Sequence, residues 1–214
     1  MVEELKNRIR STIINVEFSL GQKLSKSFLQ KYLCMSRTPI REVLGQLLVE
    51  GIVSYSEYRG FRVFKMDEQE LREFYDLRLT FEVKALSDAN AKNRLELIKV
   101  LKNIIKEMED SIKYNDFDTY NLKDSEFHKS FILFSSNRFL LKYYENIISI
   151  NRTYQTRTNK LDRLIYLKKQ RSMEGHVEIL KQLEKNNLSL VLRNLRMHVN
   201  NFSRVSIIPF LVAD

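Results

Sequence analysis

Glycine and proline are scarce in this chain, and most of them lie near its amino terminus. Five Gly and two Pro occur among 214 residues, and four of the Gly and one Pro precede residue 67. Because these residue types punctuate turns, their scarcity favours long helices and argues against a loop-rich β-sandwich. We therefore predict a mainly α protein, in which residues 1–66 form a first domain and residues 67–214 form a second.

The composition excludes several classes of protein. Apolar residues make up 43% of the chain and charged residues 29%, which is enough to bury a core. A single cysteine fits a reducing compartment, and no apolar run approaches the ~18 residues of a membrane span. The net charge of +9, denser in residues 1–66, is compatible with a polyanionic partner. We expect a cytoplasmic protein without a membrane partner.

Three short helices are predicted at the start of the first domain. Apolar residues at helical spacing indicate a helix from Leu5 to near Glu17. Ser25 can cap a second helix, and Ser36 can cap a third that ends at Gly51. Residues 52–55 and 61–64 are then predicted to form two strands around a turn, with Arg59 and Gly60 at its tip. This order of elements is that of a winged helix-turn-helix domain.

Basic residues occupy the positions from which such a domain contacts DNA. The start of the third helix is the part that reaches base edges in the major groove, where Arg can pair with guanine. The hairpin tip can contact phosphate or the minor groove. The candidate DNA-contacting residues are Ser36, Arg37, Thr38, Arg41, Arg59, Gly60 and Arg62. The alternative interpretation is a solvated basic surface with no partner.

The first 66 residues resemble the GntR family of bacterial transcription regulators. The resemblance rests on the run Ser-Arg-Thr-Pro-Ile-Arg-Glu at residues 36–42 and on the segments around it, and it covers nearly all of residues 5–64. It implies a winged helix-turn-helix that binds double-stranded DNA. A two-fold protein reads a two-fold site, so we expect a homodimer on a palindromic operator.

The second domain is predicted to contain helices only. Apolar residues recur at helical spacing in six segments, which span residues 68–90, 98–112, 118–135, 137–147, 173–183 and 188–205. Asp118 can cap the third segment and Asn137 can begin the fourth. Six such helices indicate an antiparallel bundle.

All three histidines fall on helix faces that we expect to point into this bundle. Asp124 and His128 lie one turn apart, while His176 and His198 lie on two other apolar stripes. A lone histidine on such a face is usually a core residue. Three of them with an inward carboxylate predict a divalent metal site, because a buried Asp needs a charge partner. Zn²⁺ or Ni²⁺ suits this ligand set best, and Mn²⁺ or Fe²⁺ is an alternative.

Three further residues are candidates for binding a small effector. Arg78 interrupts an apolar stripe, where it could bind a carboxylate or form a structural salt bridge with Glu82. Asn151 and Tyr154 continue the inward face of the fourth helix as polar residues. They indicate either a lined cavity or the point at which the helix leaves the core.

The ligand pattern extends the resemblance to a second domain type. The run Asp-Ser-Glu-Phe-His at residues 124–128, followed by His176 and His198, resembles the FCD effector domain of the FadR/VanR branch of GntR regulators. The resemblance covers residues 67–210. It implies a metal held by Asp124 and the three histidines, with a small effector, often an organic acid, in the same cavity. It also implies a ligand-controlled homodimeric regulator, expected to be a repressor.

Two other classes of function remain as alternatives. A metal held by three histidines and an aspartate could activate water in a hydrolytic enzyme, with Glu126 as the nearest candidate base in sequence. A purely architectural nucleic-acid binder would leave the inward histidines unexplained. We expect a regulator and not an enzyme.

Overall fold

The computed structural model describes residues 2–15, 17–160 and 164–211, and it is mainly helical, as predicted. Its elements are α1 (Val2–Ile14), α2 (Lys26–Leu33), α3 (Arg37–Val49), β1 (Val53–Ser56), β2 (Gly60–Val63), α4 (Glu68–Lys113), α5 (Phe117–Phe134), α6 (Arg138–Lys160), α7 (Ile165–Glu184) and α8 (Leu188–Leu211). The first five elements form the predicted winged helix-turn-helix, and the long helices that follow form the predicted bundle.

The first three helices and the hairpin share one apolar core. Leu5 and Ile9 of α1 pack with Ile40 and Leu44 of α3 in a cluster of fully buried side chains. The strands are antiparallel, with Val53 opposite Val63. Val53 and Val63 are buried, while burial decreases along β1 toward the turn, so the end of the hairpin that holds these two valines closes the core. The faces of α1 and α3 that the spacing of apolar residues predicts to be buried are therefore the buried ones.

Helix boundaries in this part of the chain lie close to the predicted ones. The hydroxyl of Ser25 accepts a hydrogen bond from the Phe28 amide at 3.1 Å and caps α2. Ser36 occupies the cap position of α3, but its side chain makes no capping hydrogen bond. Gly51 ends that helix with φ of +70°, a left-handed conformation that glycine adopts without a steric cost.

The first two predicted helices of the bundle follow each other directly, with a kink between them and no loop. The segments 68–90 and 98–112 lie on the two sides of a kink in α4 at Asn93, whose backbone is not helical (φ −136°, ψ 28°). The Asn93 side chain donates to the carbonyl of Phe134 at 2.8 Å, at the carboxyl end of α5. A side-chain amide that leaves the helix to cap a neighbour explains the bend, and such a contact cannot be read from periodicity.

The residues that begin α5 and α6 differ in how well they were predicted. Asp116, and not Asp118, caps α5, because its carboxylate accepts from the Thr119 amide at 3.0 Å. Asn137 begins α6 as predicted, and its side-chain oxygen accepts from the Leu140 amide at 3.2 Å. The predicted cap of α5 is two positions too late. Both Asp116 and Asp118 carry a carboxylate that could cap a helix at this point.

The chain divides by spatial proximity into two compact units. One contains Met1–Met66 and Ser149–Lys160, and the other contains Asp67–Ile148 and Leu161–Asp214. In the second unit, α4 packs against α5, α7 and α8, so three helices surround one face of the longest one. Among the described residues, no helix is both long and apolar enough to cross a membrane.

Candidate metal centre and nucleic-acid interface

Three helices of the bundle bring four potential metal ligands to one point. Asp124 and His128 lie one turn apart on α5, His176 lies on α7, and His198 lies on α8. The rings of His128 and His176 are completely buried, and that of His198 is 8% exposed. One ligand atom from each of the four residues lies within 4.8 Å of the others. The structure therefore brings together the cluster that the sequence predicts.

The distances within the cluster fit a shared ion. The Nε2 atom of His128 lies 3.4 Å from Nε2 of His176 and 3.3 Å from Nε2 of His198. Nε2 of His176 lies 3.2 Å from the nearer oxygen of Asp124. Ligand atoms ~2.0–2.1 Å from a tetrahedral ion lie roughly 3.3 Å from one another. These four side chains could therefore hold a divalent metal.

Glu82 of α4 fixes the orientation of one of these ligands. Its carboxylate oxygen Oε2 lies 2.7 Å from Nδ1 of His128, and both side chains are fully buried. Burial opposes its ionisation, but Arg78 and His128 lower the pKa of Glu82 to about 2. An ionised carboxylate only accepts hydrogen bonds, so Nδ1 of His128 carries the proton and Nε2 presents its lone pair to the cluster.

Two other side chains hold Glu82 in place. Nε of Arg78 donates to its Oε1 atom at 2.5 Å, and the hydroxyl of Tyr144 donates to the same oxygen at 2.5 Å. Burial raises the pKa of Tyr144 well above its usual value, so the phenol stays protonated and donates. Tyr144 lies within the predicted helix segment 137–147, and its position on an apolar stripe gives no sign of this contact.

The electrostatics of the cluster keep its ligands in the forms that bind metals. Burial opposes ionisation of Asp124, but the hydrogen bond from His176 and the positive charges nearby hold its pKa well below the usual range. Burial lowers the pKa of His176, and burial together with the two neighbouring imidazoles lowers that of His198 further. At neutral pH Asp124 is therefore a carboxylate and His176 and His198 are neutral imidazoles, which are the forms that a divalent ion requires.

Gly175 contacts one of the candidate ligands, and the sequence analysis does not single it out. A Cβ atom at this position would lie 2.5 Å from Nδ1 of His198, closer than any real contact allows. The ring of His198 therefore packs directly on the α7 backbone beside His176. A lone glycine inside a helical segment was the signal, because it costs helix stability unless close packing requires it.

A pocket leads from the surface of the bundle to this cluster. It has a volume of about 540 Å³, lies between α7 and α8, and is lined in part by Ser172, Gly175 and His198. Charged side chains, Arg171 and Glu174 among them, stand along its walls. The pocket gives a small polar molecule access to one of the four candidate ligands.

The candidate effector residues are all buried, but they differ in what they contact. Arg78 is 2% exposed and forms the salt bridge with Glu82 that the sequence analysis left as one alternative. Its role toward an effector stays a prediction. Asn151 and Tyr154 are buried on α6, within the segment that groups with the amino-terminal unit. Their role also stays a prediction.

The first turns of α3 present the predicted reading surface to solvent. Arg37, Thr38 and Arg41 are exposed, while Ile40 and Leu44 on the opposite face are buried. Nε of Arg37 donates to the side-chain oxygen of Gln30 on α2 at 2.9 Å. Its two terminal nitrogens form the edge through which an arginine can pair with guanine, and a contact of Arg37 with DNA stays a prediction.

The hairpin places its basic residues in two different settings. Arg59 is exposed at the tip, and Gly60 follows it with φ of +69°. Arg62 is half-buried on β2 and donates to the carbonyl of Gly21 at 2.8 Å. Arg62 thus holds the loop before α2 against the hairpin, and its predicted contact with DNA remains a prediction.

The general base of the hydrolytic alternative does not belong to the cluster. The carboxylate of Glu126 pairs with Lys123 at 2.9 Å and is 41% exposed. It is absent from the group of side chains that could hold a metal among the described residues. The geometry therefore gives Glu126 no role at the candidate metal centre.

Family models match both parts of the chain. The FCD domain matches residues 73–201, and the gntR family of bacterial regulatory proteins matches residues 1–63. The gluconate operon transcriptional repressor of Bacillus licheniformis is 28% identical over 201 residues, which cover 92% of this chain and 80% of that protein. The chain spans 63% and 57% of two further curated relatives.

Solved structures share the fold. Escherichia coli McbR/YncC superposes with a TM-score of 0.76 at 15% identity, covering 98% of both chains. The metal-free FCD domain of TM0439 gives a TM-score of 0.55 at 23% identity over 69% of this chain and 98% of its own. The family models and relatives are those of regulators and give no support to an enzyme. The chain therefore belongs to the GntR family of bacterial transcription regulators, and its helical bundle is an FCD domain.

Proposed function

We propose that this regulator is a metal-containing repressor whose operator affinity changes when a small organic acid binds its FCD domain. Residues 1–66 would form the DNA-reading domain and residues 67–214 the effector-binding and dimerisation domain, in a cytoplasmic protein. The observation that carries the proposal is the convergence of Asp124 and three imidazole Nε2 atoms in the buried interior of the bundle. Relatives that are named repressors support the direction of control.

The proposed metal is Zn²⁺ or Ni²⁺, with Mn²⁺ or Fe²⁺ as alternatives. Three imidazoles and one carboxylate suit the borderline ions, and the separations near 3.3 Å suit bonds of ~2.0–2.1 Å. The ion would supply a positive charge and, with more than the four protein ligands around it, a position for an oxygen ligand. Since the ion carries +2 and Asp124 carries −1, an anionic oxygen such as a carboxylate would complete the charge balance.

The proposed operator is a short palindrome read by two copies of α3. Arg37 and Arg41 would contact bases, Ser36 and Thr38 would contact base edges or phosphates, and the hairpin residues Arg59, Gly60 and Arg62 would contact the backbone or the minor groove. The exposure of the start of α3 supports this assignment. The exposed hydroxyl of Ser36 makes no capping bond and is available for a phosphate.

Selection of binding sites from random duplexes tests the DNA part of the proposal. The expected result is an enriched inverted repeat. Arg41→Ala should weaken binding by ~1–3 kcal/mol and relax the preference at one position in each half-site. Arg8→Ala, an exposed arginine on α1, is the matched control and should retain the wild-type preference. Failure to enrich any inverted repeat would contradict the palindromic operator.

Elemental analysis beside thermal melting tests the metal part. The purified full-length protein should contain about one divalent ion per chain, and His198→Ala should lose it. An ion that binds only the folded state stabilises it, so chelation should lower the melting temperature of the wild type and leave that of His198→Ala unchanged. Equal, sub-stoichiometric metal in both proteins would make the histidines core residues and remove the metal from the mechanism.

A further inference from the structure

One side chain of α2 bonds directly to the predicted DNA-reading surface. The side-chain oxygen of Gln30 accepts the hydrogen bond that Nε of Arg37 donates at 2.9 Å. The candidate DNA-contacting residues lie at the start of α3 and on the hairpin, so Gln30 is not one of them. It precedes Arg37 by seven positions, and the turn between α2 and α3 brings the two side chains together.

The packing of α2 against α3 fixes where this acceptor lies. Leu29 and Leu33 of α2 are buried in the same apolar core as Ile40 of α3. Gln30 follows Leu29 directly and is half-buried, so its stem has less freedom than that of an exposed glutamine. Cys34 turns the chain between the two helices with φ of 55°. Two packed helices therefore hold the amide oxygen of Gln30 beside the start of α3.

The hydrogen bond determines which edge of the Arg37 guanidinium is available to a partner. An arginine can pair with guanine through its two terminal nitrogens, or through Nε and one terminal nitrogen. Because Gln30 occupies Nε, the edge formed by the two terminal nitrogens is left for DNA. A guanidinium held at Nε also has fewer orientations, so part of the cost of ordering this long side chain is met before DNA binds.

The acceptor is neutral, which suits an arginine that binds a polyanion. A hydrogen bond to an amide oxygen orients the guanidinium and leaves its positive charge in place. A carboxylate at position 30 would hold Nε as well, but it would cancel much of that charge. The first turn of α3 reads Arg-Thr-Pro-Ile and adds no acidic side chain. Both features keep the predicted contact surface positive.

We infer that Gln30 is a positioning residue for Arg37 and sets how strictly Arg37 selects guanine. The inference rests on the proposed function, since it needs Arg37 to contact a base. It adds a residue of α2 that acts on the DNA sequence preference through Arg37. Without Gln30, the guanidinium could turn toward other bases or toward a phosphate, and its preference for guanine would fall.

Two substitutions of similar size separate the acceptor from the shape of the side chain. Gln30→Met keeps the length of the side chain and removes the acceptor, whereas Gln30→Glu keeps an acceptor and adds a negative charge. Gln170→Met, at an exposed glutamine of α7, is the matched control and should retain the wild-type preference. Thermal melting of each full-length variant verifies that it folds.

Competition between the selected operator and duplexes changed at single positions measures the preference. The position read by Arg37 is the one at which Arg37→Ala loses its preference for guanine. Gln30→Met should lower this preference by about two- to tenfold, the range expected from ordering one long side chain. Its affinity for a scrambled duplex should stay within about twofold of the wild type, because no charge is lost. A wild-type guanine preference in Gln30→Met would overturn the inference.

The Gln30→Glu variant tests the same contact in the opposite sense. It should keep the guanine preference, because the carboxylate still accepts from Nε of Arg37. It should bind every duplex more weakly and with a less steep salt dependence, because the added charge repels phosphate. Loss of the guanine preference in Gln30→Glu would overturn the inference even if Gln30→Met did not fold.

The double variant Gln30→Met/Arg37→Ala tests whether Gln30 acts through Arg37. If it does, the base preference of the double variant should equal that of Arg37→Ala, because the contact through which Gln30 acts is already lost. A further loss of preference in the double variant would show that Gln30 contacts the DNA itself, and it would overturn the positioning role.

The same measurements separate the inference from the proposed function. Failure of the wild type to enrich an inverted repeat contradicts the proposed operator and, with it, the inference. An enriched repeat whose base preference is unchanged in Arg37→Ala contradicts the assignment of Arg37 to a base and thereby the role of Gln30. A preference that depends on Arg37 and not on Gln30 contradicts only the inference.

Discussion

Glu82 is completely buried and still ionised, because three donors converge on its two oxygens. Arg78 and Tyr144 bond one oxygen, and His128 bonds the other. The Glu82 carboxylate thus neutralises the charge of Arg78 and also orients His128, a candidate metal ligand. Outer partners of this kind set the tautomer of a ligating imidazole and contribute to metal affinity.

The Glu82→Gln substitution should weaken metal binding by roughly 10- to 100-fold, because the amide no longer fixes the Nδ1 proton of His128 as firmly. It should also destabilise the metal-free fold, since Arg78 loses its buried counter-charge. Competition with a coloured chelator measures the first effect and thermal melting the second. Glu126→Gln, a change to an exposed carboxylate on α5, is the control and should alter neither. Wild-type metal affinity in Glu82→Gln would exclude the orienting role.

The pKa shifts of the cluster predict how the stability of the metal-free protein depends on pH. Burial lowers the pKa of His176 and His198 below the ~6.5 of an unfolded chain, so the unfolded state binds more protons as the pH falls. Stability should therefore be full above pH ~6.5 and decline below it, by at most ~1.4 kcal/mol per pH unit for each histidine. The lowered pKa values of Asp124 and Glu82 predict a second loss, from pH ~4.5 toward 2.

Denaturant unfolding between pH 8 and pH 4 measures this dependence. His198→Gln removes one of the two titrating imidazoles and should reduce the slope between pH 6.5 and pH 5. A metal-free wild type that is equally stable at pH 7 and pH 5.5 would show that the histidines are not buried as neutral groups.

At the scale of the helix, glycine has opposite effects in α7 and α3. The ring of His198 occupies the space that a Cβ at Gly175 would need. A Cβ at Gly45 of α3, in contrast, would meet no atom within 4 Å. Alanine favours a helix over glycine by ~1 kcal/mol. Replacing glycine by alanine should therefore stabilise α3 at Gly45 and disturb the candidate metal centre beside α7 at Gly175.

Gly45→Ala should raise the free energy of unfolding by ~0.5–1 kcal/mol and leave metal affinity unchanged. Gly175→Ala should lower metal affinity, because the new methyl group displaces the ring of His198. Metal titration and denaturant unfolding of both variants provide the comparison. Unchanged metal affinity in Gly175→Ala would mean that the ring can move without leaving the ligand set.

At the scale of the whole molecule, the effector and the operator are coupled through one equilibrium. An acid can change operator affinity only if it binds two states of the protein with different affinities. The same factor must then appear in the affinity for the acid when operator DNA is present. We expect a factor of ~5–150, the usual range of such coupling, and expect it to vanish in His198→Ala together with the metal.

Calorimetry with the acid, with and without a saturating operator duplex, measures this factor. A duplex of scrambled sequence is the control for non-specific binding. The change in operator affinity caused by the acid should equal the change in acid affinity caused by the operator. A difference between these two factors would show that the acid also acts outside this equilibrium. An acid that binds the FCD domain with no effect on operator affinity would contradict ligand control.

The sequence by itself determined the class of fold and the four residues of the candidate metal centre. The periodicity of apolar residues reports which face of a helix is buried, so it placed Asp124, His128, His176 and His198 inside the bundle. Turn residues reported where helices begin, at Ser25 and elsewhere. These signals are local, because each depends on residues within a few turns of one another.

The tertiary structure alone decided which buried residues meet. The contacts of Glu82 with His128, of Lys169 with Asn121 and of Gly175 with His198 join residues that are 46, 48 and 23 positions apart. The bend at Asn93 likewise depends on the end of α5, 41 residues away. Periodicity gives the inward face of each helix but not its axial position or its rotation against the others. Those two quantities come from side-chain packing, and they decide which neutral, acidic and basic groups surround the metal centre.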